Sequence, residues 1–181
     1  MATRTRLTIE QYLALPEWEK PYREYVGGEA VPKAVPDYRH VDLCDELQSL
    51  LRGYRALHGG KSGPEGRVEF AGSDGPEFRL PDVAYWPAER PRQGPRAMNP
   101  PLLAIEVRSP GQALEALRTR CRFMQGHGVS VCWLVDPDNR VIEVFEDDRD
   151  GDVFASGGAV TSPHLPGFTL DVSRLFAILD E

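Results

Sequence analysis

The segment Leu102-Leu103-Ala104-Ile105-Glu106-Val107-Arg108 constrains the fold more than any other stretch of the chain. Four apolar residues in succession leave no polar face, so a strand here must lie centrally in its sheet and be covered on both sides. Glu106 then interrupts the run. By strand alternation it shares a face with Leu102, Ala104 and Arg108. A carboxylate on such a face is costly unless it is paired, hydrogen-bonded or bound to a metal. The chain must therefore supply two covering layers and also neutralise a charge inside them.

Two helices are available as covers. From His40 to Leu57, the residues Leu43, Cys44, Leu47, Leu50, Leu51, Tyr54 and Leu57 fall in one arc at about 100° per residue, and Gly59-Gly60 closes the helix. A second helix spans Gln112 to Gly126. Thr8 to Leu15 reads as a short helix with Thr8 as N-cap, Gln11 at the capping-box position and Pro16 as its stop. Arg23–Val26 and Glu29–Val31 flank Gly27-Gly28, a two-residue hairpin signal. On the first of these strands Tyr22, Glu24 and Val26 share a face. Further strands are expected at Arg67–Ala71, Leu80–Trp86, Ser130–Val135 and Arg140–Glu146, and near Phe168–Leu170, with a last helix at Ser173–Leu179. Pro87 to Pro101 reads as a loop, and the acidic run Glu146 to Asp152 as a solvated hairpin tip. Strands mixed with two sizeable helices predict an α/β (mixed α+β) domain with one sheet, a single domain over residues 1–181.

Composition narrows the function. At 181 residues with 27% charged residues the chain suits one globular domain, and its longest apolar runs are too short to span a bilayer. A soluble cytoplasmic protein is the expectation, and three unpaired-spacing cysteines fit reduced buried thiols. A net charge of −7 argues against a broad electrostatic grip on nucleic acid, though not against a local basic cleft or a metal bridge. Of 21 basic residues only Lys20, Lys33 and Lys61 are lysines; the other 18 are arginines.

Three carboxylates stand where an apolar residue is normal: Glu24 between Tyr22 and Val26, Asp82 after Pro81 at the head of a strand, and Glu106. Each alone can be a strand-end charge. Together, Asp82 and Glu106 at the ends of neighbouring central strands have the oxygen chemistry that binds Mg²⁺, with water filling the remaining positions. Arg120 falls inside the apolar arc of the second helix, among Leu117, Cys121 and Met124. An inward guanidinium needs an anionic partner or must snorkel along apolar surface. His40 opens the first helix on its inner arc, suited to a structural hydrogen bond or to a place beside the same cleft. There is no Gly-rich phosphate loop, paired-cysteine motif or nucleophile elbow.

In order and spacing, these pieces resemble a known family. They are Thr8-Ile9-Glu10-Gln11-Tyr12-Leu13, Glu24 with Gly28-Glu29, His40, Leu80-Pro81-Asp82-Val83-Ala84, Pro100 through Pro110, Gly128-Val129 and Trp133-Leu134-Val135-Asp136-Pro137. The set is similar to the putative restriction endonuclease family of small stand-alone proteins in the PD-(D/E)XK nuclease superfamily. The resemblance implies a restriction endonuclease-like fold: a central mixed sheet flanked by helices, with an N-terminal helix and hairpin. It implies Asp82 and Glu106 as ligands of Mg²⁺, with Mn²⁺ as substitute, and Glu24 as an added acidic residue. The reaction implied is phosphodiester hydrolysis in nucleic acid, with DNA as the expected substrate. A homodimer would suit a small nuclease facing two strands.

Members commonly carry a Lys on the helix after the Glu strand. Arg120 holds that position here, and no lysine follows Lys61. Arg120 can donate hydrogen bonds but cannot serve as a general base; Arg108 is a second candidate replacement. The alternative is a catalytically degenerate scaffold that binds nucleic acid or a protein. A two-carboxylate glycosidase ranks last, for want of an aromatic sugar cleft. Asp82→Ala is expected to remove metal binding and to raise stability by relieving carboxylate repulsion.

Overall fold

A computed structural model describes residues 4–64, 66–94 and 96–181. Thr5–Arg6 (β1) and the helix Ile9–Leu13 (α1) precede the hairpin Arg23–Val26 (β2) and Glu29–Pro32 (β3). The long helix Tyr38–His58 (α2) leads into Lys61–Pro64 (β4), Val68–Gly72 (β5), Gly75–Arg79 (β6) and Val83–Trp86 (β7). Leu103–Val107 (β8), the helix Leu114–Gly126 (α3), Val131–Asp136 (β9), Val141–Glu146 (β10) and Arg149–Phe154 (β11) follow. The tail adds Ala159–Val160 (β12), Leu170–Asp171 (β13), the helix Val172–Ala177 (α4) and a 3-10 turn at Ile178–Asp180.

The six-stranded central sheet runs β11-β10-β9-β8-β7-β4. Its β8–β9 pair is parallel and joined through α3, and its other pairs are antiparallel. As the unbroken apolar run requires, β8 is central and buried along its whole length. Alternation divides its side chains between two cores. Leu103, Ile105 and Val107 pack with Leu43, Leu47 and Leu51 of α2 and with Leu175 and Phe176 of α4. Ala104 packs with Leu117, Cys121 and Met124 of α3. Glu106 therefore points to the α3 side.

The expectation of one sheet is overturned. A second, antiparallel sheet of order β1-β3-β2-β6-β5 carries the hairpin and has its own core of Tyr12, Tyr25, Ala30 and Phe78. The hairpin joins it through Tyr25 opposite Phe78, and a two-stranded β12–β13 ladder stands apart. The sequence hid β6 behind Gly75-Pro76, which read as turn residues, and hid the edge strand β4 behind Gly63-Pro64. Proline is tolerated at such edges and strand ends. The acidic run is also corrected. Its turn is only Asp147-Asp148, because Arg149–Phe154 pairs with β10. Glu146 is buried, accepting a hydrogen bond from the Ser162 hydroxyl with Arg149 3.3 Å away.

The capping box at Thr8 and Gln11 forms as expected, and Gly27 and Gly28 both take positive φ (56° and 79°), the conformation a two-residue hairpin turn needs. Asp37, rather than His40, opens α2, because its carboxylate caps the His40 amide at 3.0 Å. No helix among the described residues is long and apolar enough to cross a membrane.

Leu47 is one of the α2 residues packed in the core against the central sheet and is fully buried. Leu47→Ala should destabilise the fold by about 2–5 kcal/mol. Urea unfolding would show this as a lower midpoint at an unchanged m value; an unchanged midpoint would refute the packing described.

Candidate active site

The chain leaves the second sheet at Arg79, crosses Leu80-Pro81-Asp82, and enters the central sheet at Val83. That crossing places Asp82 at the joint between the sheets. Val83 lies opposite Ile105 in the antiparallel β7–β8 register, so Asp82 stands level with Glu106. Two carboxylates facing each other across a pair of strands repel. Both are almost wholly buried. The surrounding cavity, about 300 Å³, is lined by both of them and by Glu24, Lys33, His40 and Arg120.

Each carboxylate is held differently. Asp82 Oδ1 lies 2.6 Å from Lys33 Nζ; its Oδ2 accepts from the Val107 amide at 2.8 Å and lies 3.2 Å from His40 Nε2. Burial pushes the Asp82 carboxyl up, but the Lys33 charge and the His40 contact outweigh it and hold the group well below the usual carboxylate range. Glu24, from β2, accepts the Leu80 amide at 2.6 Å on Oε1 and Arg120 Nη1 on Oε2. Burial again opposes ionisation there, and the Arg120 charge and hydrogen bond overcome it.

Glu106 is the exception. Its Oε1 lies 2.9 Å from Arg120 Nε, yet neither atom makes a hydrogen bond, so their contact is charge pairing without alignment. Burial dominates, helped by the Asp82 charge, and raises its pKa from 4.5 to about 7 despite Arg120.

Arg120 is therefore a strut. It reaches Glu24, the Leu80 carbonyl at 3.1 Å and Glu106, joining α3 to both sheets. Of the residues singled out in the sequence, the fold gathers Asp82, Glu106, Glu24, Arg120 and His40. It does not bring in Arg108, which turns away to Asp136 and Asp138, each at 3.2 Å, and to the Gln112 carbonyl at 3.1 Å. Asp136 ends β9 and is itself buried, so it draws the guanidinium off the face that alternation assigned to it.

Lys33 was missed. The hairpin register contained the signal. With Gly27-Gly28 as the turn, Val26 faces Glu29 and Glu24 faces Val31, and the next step pairs Tyr22 with Lys33, whose amide donates to the Tyr22 carbonyl at 2.8 Å. Lys33 thus lies on the Glu24 face, two residues along.

A model of the Uma2 family, described as Putative restriction endonuclease, matches residues 9–173. The chain belongs to this family. No curated protein matches it. Among solved structures it is similar to the crystal structure of a putative nuclease belonging to DUF820 from Anabaena variabilis ATCC 29413. The two share 25% identity and a TM-score of 0.82, over 96% of this chain and 99% of that one. This Uma2 member has the restriction endonuclease-like architecture that its motifs implied.

The donor chemistry suits a hard divalent ion. Two carboxylates face one cavity, and Glu106 Oε1 is buried without a hydrogen-bond donor. Among the described residues no three His, Cys, Asp or Glu side chains form a metal-holding group, so water would complete the shell, as it does for Mg²⁺.

The Lys33 contact changes the expectation for Asp82→Ala: the variant should lose stability, because it removes the carboxylate that lies 2.6 Å from a buried ammonium. Arg120→Leu should likewise destabilise the fold by about 3–5 kcal/mol, because it leaves Glu24 and Glu106 buried without their cation. Chemical denaturation measures both.

A pH effect follows from Glu106. Its folded pKa of about 7 lies above the ordinary 4.5, so the folded chain keeps a proton that the unfolded chain releases. Its contribution to stability is full below about 4.5 and is lost as pH rises to about 7. Wild type should therefore lose stability relative to Glu106→Gln across that window, and a flat difference would contradict the assignment.

Proposed function

We propose that this Uma2-family protein is a metal-dependent nuclease that hydrolyses phosphodiester bonds in nucleic acid, with DNA as the first substrate to test. The observation that carries the reading is the pair Asp82 and Glu106, level with each other on adjacent strands and buried in one cavity. Two facing carboxylates weaken a sheet, and a divalent ion between them turns that weakness into a binding site. The relative from Anabaena variabilis, described as a putative nuclease, supports the same class of reaction.

Asp82 and Glu106 would hold Mg²⁺. When bound, such an ion lowers the pKa of a coordinated water and neutralises charge developing on the phosphate. The side chains around it do the positioning. His40 and the Val107 amide fix Asp82 Oδ2, and Glu24 anchors Arg120, which in turn faces Glu106. Arg120 is always charged, so it contributes fixed positive potential and takes no part in proton transfer. Glu106 must give up its proton to bind an ion, so metal affinity should rise with pH up to about 7.

Glu24, Asp82 and Glu106 line the cavity with Lys33, Arg79 and Arg120, three carboxylates against three cations. Once Glu106 is ionised that set is neutral, and a dication added to it is matched by one phosphodiester and one hydroxide. The same neutrality without any ion favours the second reading, a degenerate scaffold whose carboxylates are retained as structural ion pairs.

Calorimetric titration with Mn²⁺ separates the two. Saturable binding by wild type, lost in Asp82→Asn and Glu106→Gln, is expected, together with a fall of roughly 100-fold or more in cleavage of single- and double-stranded DNA and RNA. Wild type that neither binds millimolar Mn²⁺ nor cleaves any of these substrates would leave the binding scaffold.

A further inference from the structure

The cations of the cleft are not equivalent. Arg120 is spread over Glu24, Glu106 and the Leu80 carbonyl. Arg79 donates to Glu77 at 2.7 Å and lies over the Phe123 ring, 4.6 Å from its centroid. Both are planar forks pinned at several points. His40 is fixed in α2 beside Asp82 Oδ2. Lys33 is different in kind: a compact ammonium on a flexible four-carbon stem. It is rooted just past β3 in the second sheet and reaches across the joint to a carboxylate of the first.

Its position sets what that charge can do. Lys33 Nζ lies 2.6 Å from Asp82 Oδ1 and 2.7 Å from the Leu80 carbonyl. The other Asp82 oxygen already accepts the Val107 amide and faces His40. An ion that takes Asp82 must therefore contend with Lys33 for Oδ1, since two cations on one oxygen repel strongly in a buried cleft. The displaced ammonium keeps the Leu80 carbonyl as an anchor and stays in the field of Glu24 and Glu106, but gives up its contact with Asp82. The anion a nucleic acid brings to the same cavity is a phosphodiester oxygen.

We propose that Lys33 is the exchangeable cation of this cleft. It holds Asp82 when no divalent ion is present, yields Oδ1 to the ion, and then turns its ammonium to the scissile phosphate. The inference rests on the metal-dependent reading above and names a catalytic residue for it. The consequence is thermodynamic. Metal binding to the free protein is weak because it must evict Lys33, and it tightens when a phosphodiester is present to receive the ammonium.

Lys33→Met removes the charge at similar length, and Lys33→Gln keeps a donor for the Leu80 carbonyl should the Met variant fail to fold. Both would be compared with wild type and Lys33→Arg by Mn²⁺ calorimetry without nucleic acid and by a cleavage assay. Circular dichroism would confirm folding. The neutral variants should bind Mn²⁺ alone about tenfold more tightly, within the usual range of coupling between sites. They should also cleave about 100-fold more slowly, as expected when charge stabilisation in the transition state is lost. Lys33→Arg, which keeps the charge, should stay near wild type in metal affinity and recover part of the cleavage. Neutral variants that bind Mn²⁺ no more tightly than wild type would make Lys33 a structural partner of Asp82 and overturn the proposal. Undiminished cleavage would overturn it equally. Wild type silent in both assays would bring down the metal-dependent reading itself, and this inference with it.

Discussion

Two buried carboxylates set level on adjacent strands are the constraint on which the rest of this structure depends. Neither Asp82 nor Glu106 could remain ionised in the joint between two sheets without compensation, because desolvation and mutual repulsion act in the same direction. The protein answers unevenly. Asp82 receives an ammonium, a backbone amide and an imidazole, and stays ionised. Glu106 receives one misaligned guanidinium and is left poised near neutrality. Two carboxylates held in different states within one cavity are the arrangement from which acid–base and metal chemistry is commonly built.

The second sheet gains its meaning from this constraint. Its hairpin delivers Glu24 and Lys33 to the rim of the central sheet, and its last strand turns directly into Asp82. Tyr12 and Tyr25, stacked with centroids 5.0 Å apart, are fixed by bonds from their hydroxyls to the carbonyls of Arg23 and Leu7. Those contacts tie α1 and the segment before it to the hairpin. Arg120 then ties the hairpin, the crossing segment and β8 to one helix, so the electrostatic site and the packing of the layers are the same set of contacts.

Much of this was legible in the sequence because it depends on local rules. The apolar run at Leu102 located the central strand, the Thr8 and Gln11 pair located α1, and Gly27-Gly28 located the hairpin. The inward position of Arg120 followed from helical periodicity, while the choice between an anionic partner and snorkelling was settled only by the fold, which sets Glu24 and Glu106 against it. What stayed hidden was non-local. Pairing of β6 with both β2 and β5 is a tertiary choice that Pro76 disguised, and with it went the existence of a second sheet. Arg108 was assigned by alternation to the cleft, but Asp136, far away in sequence, competes for it. Lys33 lies outside the helix after the Glu strand where a basic residue is expected, and only the hairpin register places it beside Glu24.

The central claim is that Asp82 and Glu106 jointly bind a divalent ion in the cavity between the sheets. Diffraction from crystals grown with Mn²⁺, recorded where manganese scatters anomalously, tests this most directly. The account predicts one strong anomalous peak within coordination distance of an oxygen from each carboxylate, with Lys33 Nζ withdrawn from Asp82 Oδ1. A cavity without a peak at saturating Mn²⁺, with Lys33 still seated on Asp82, would contradict it.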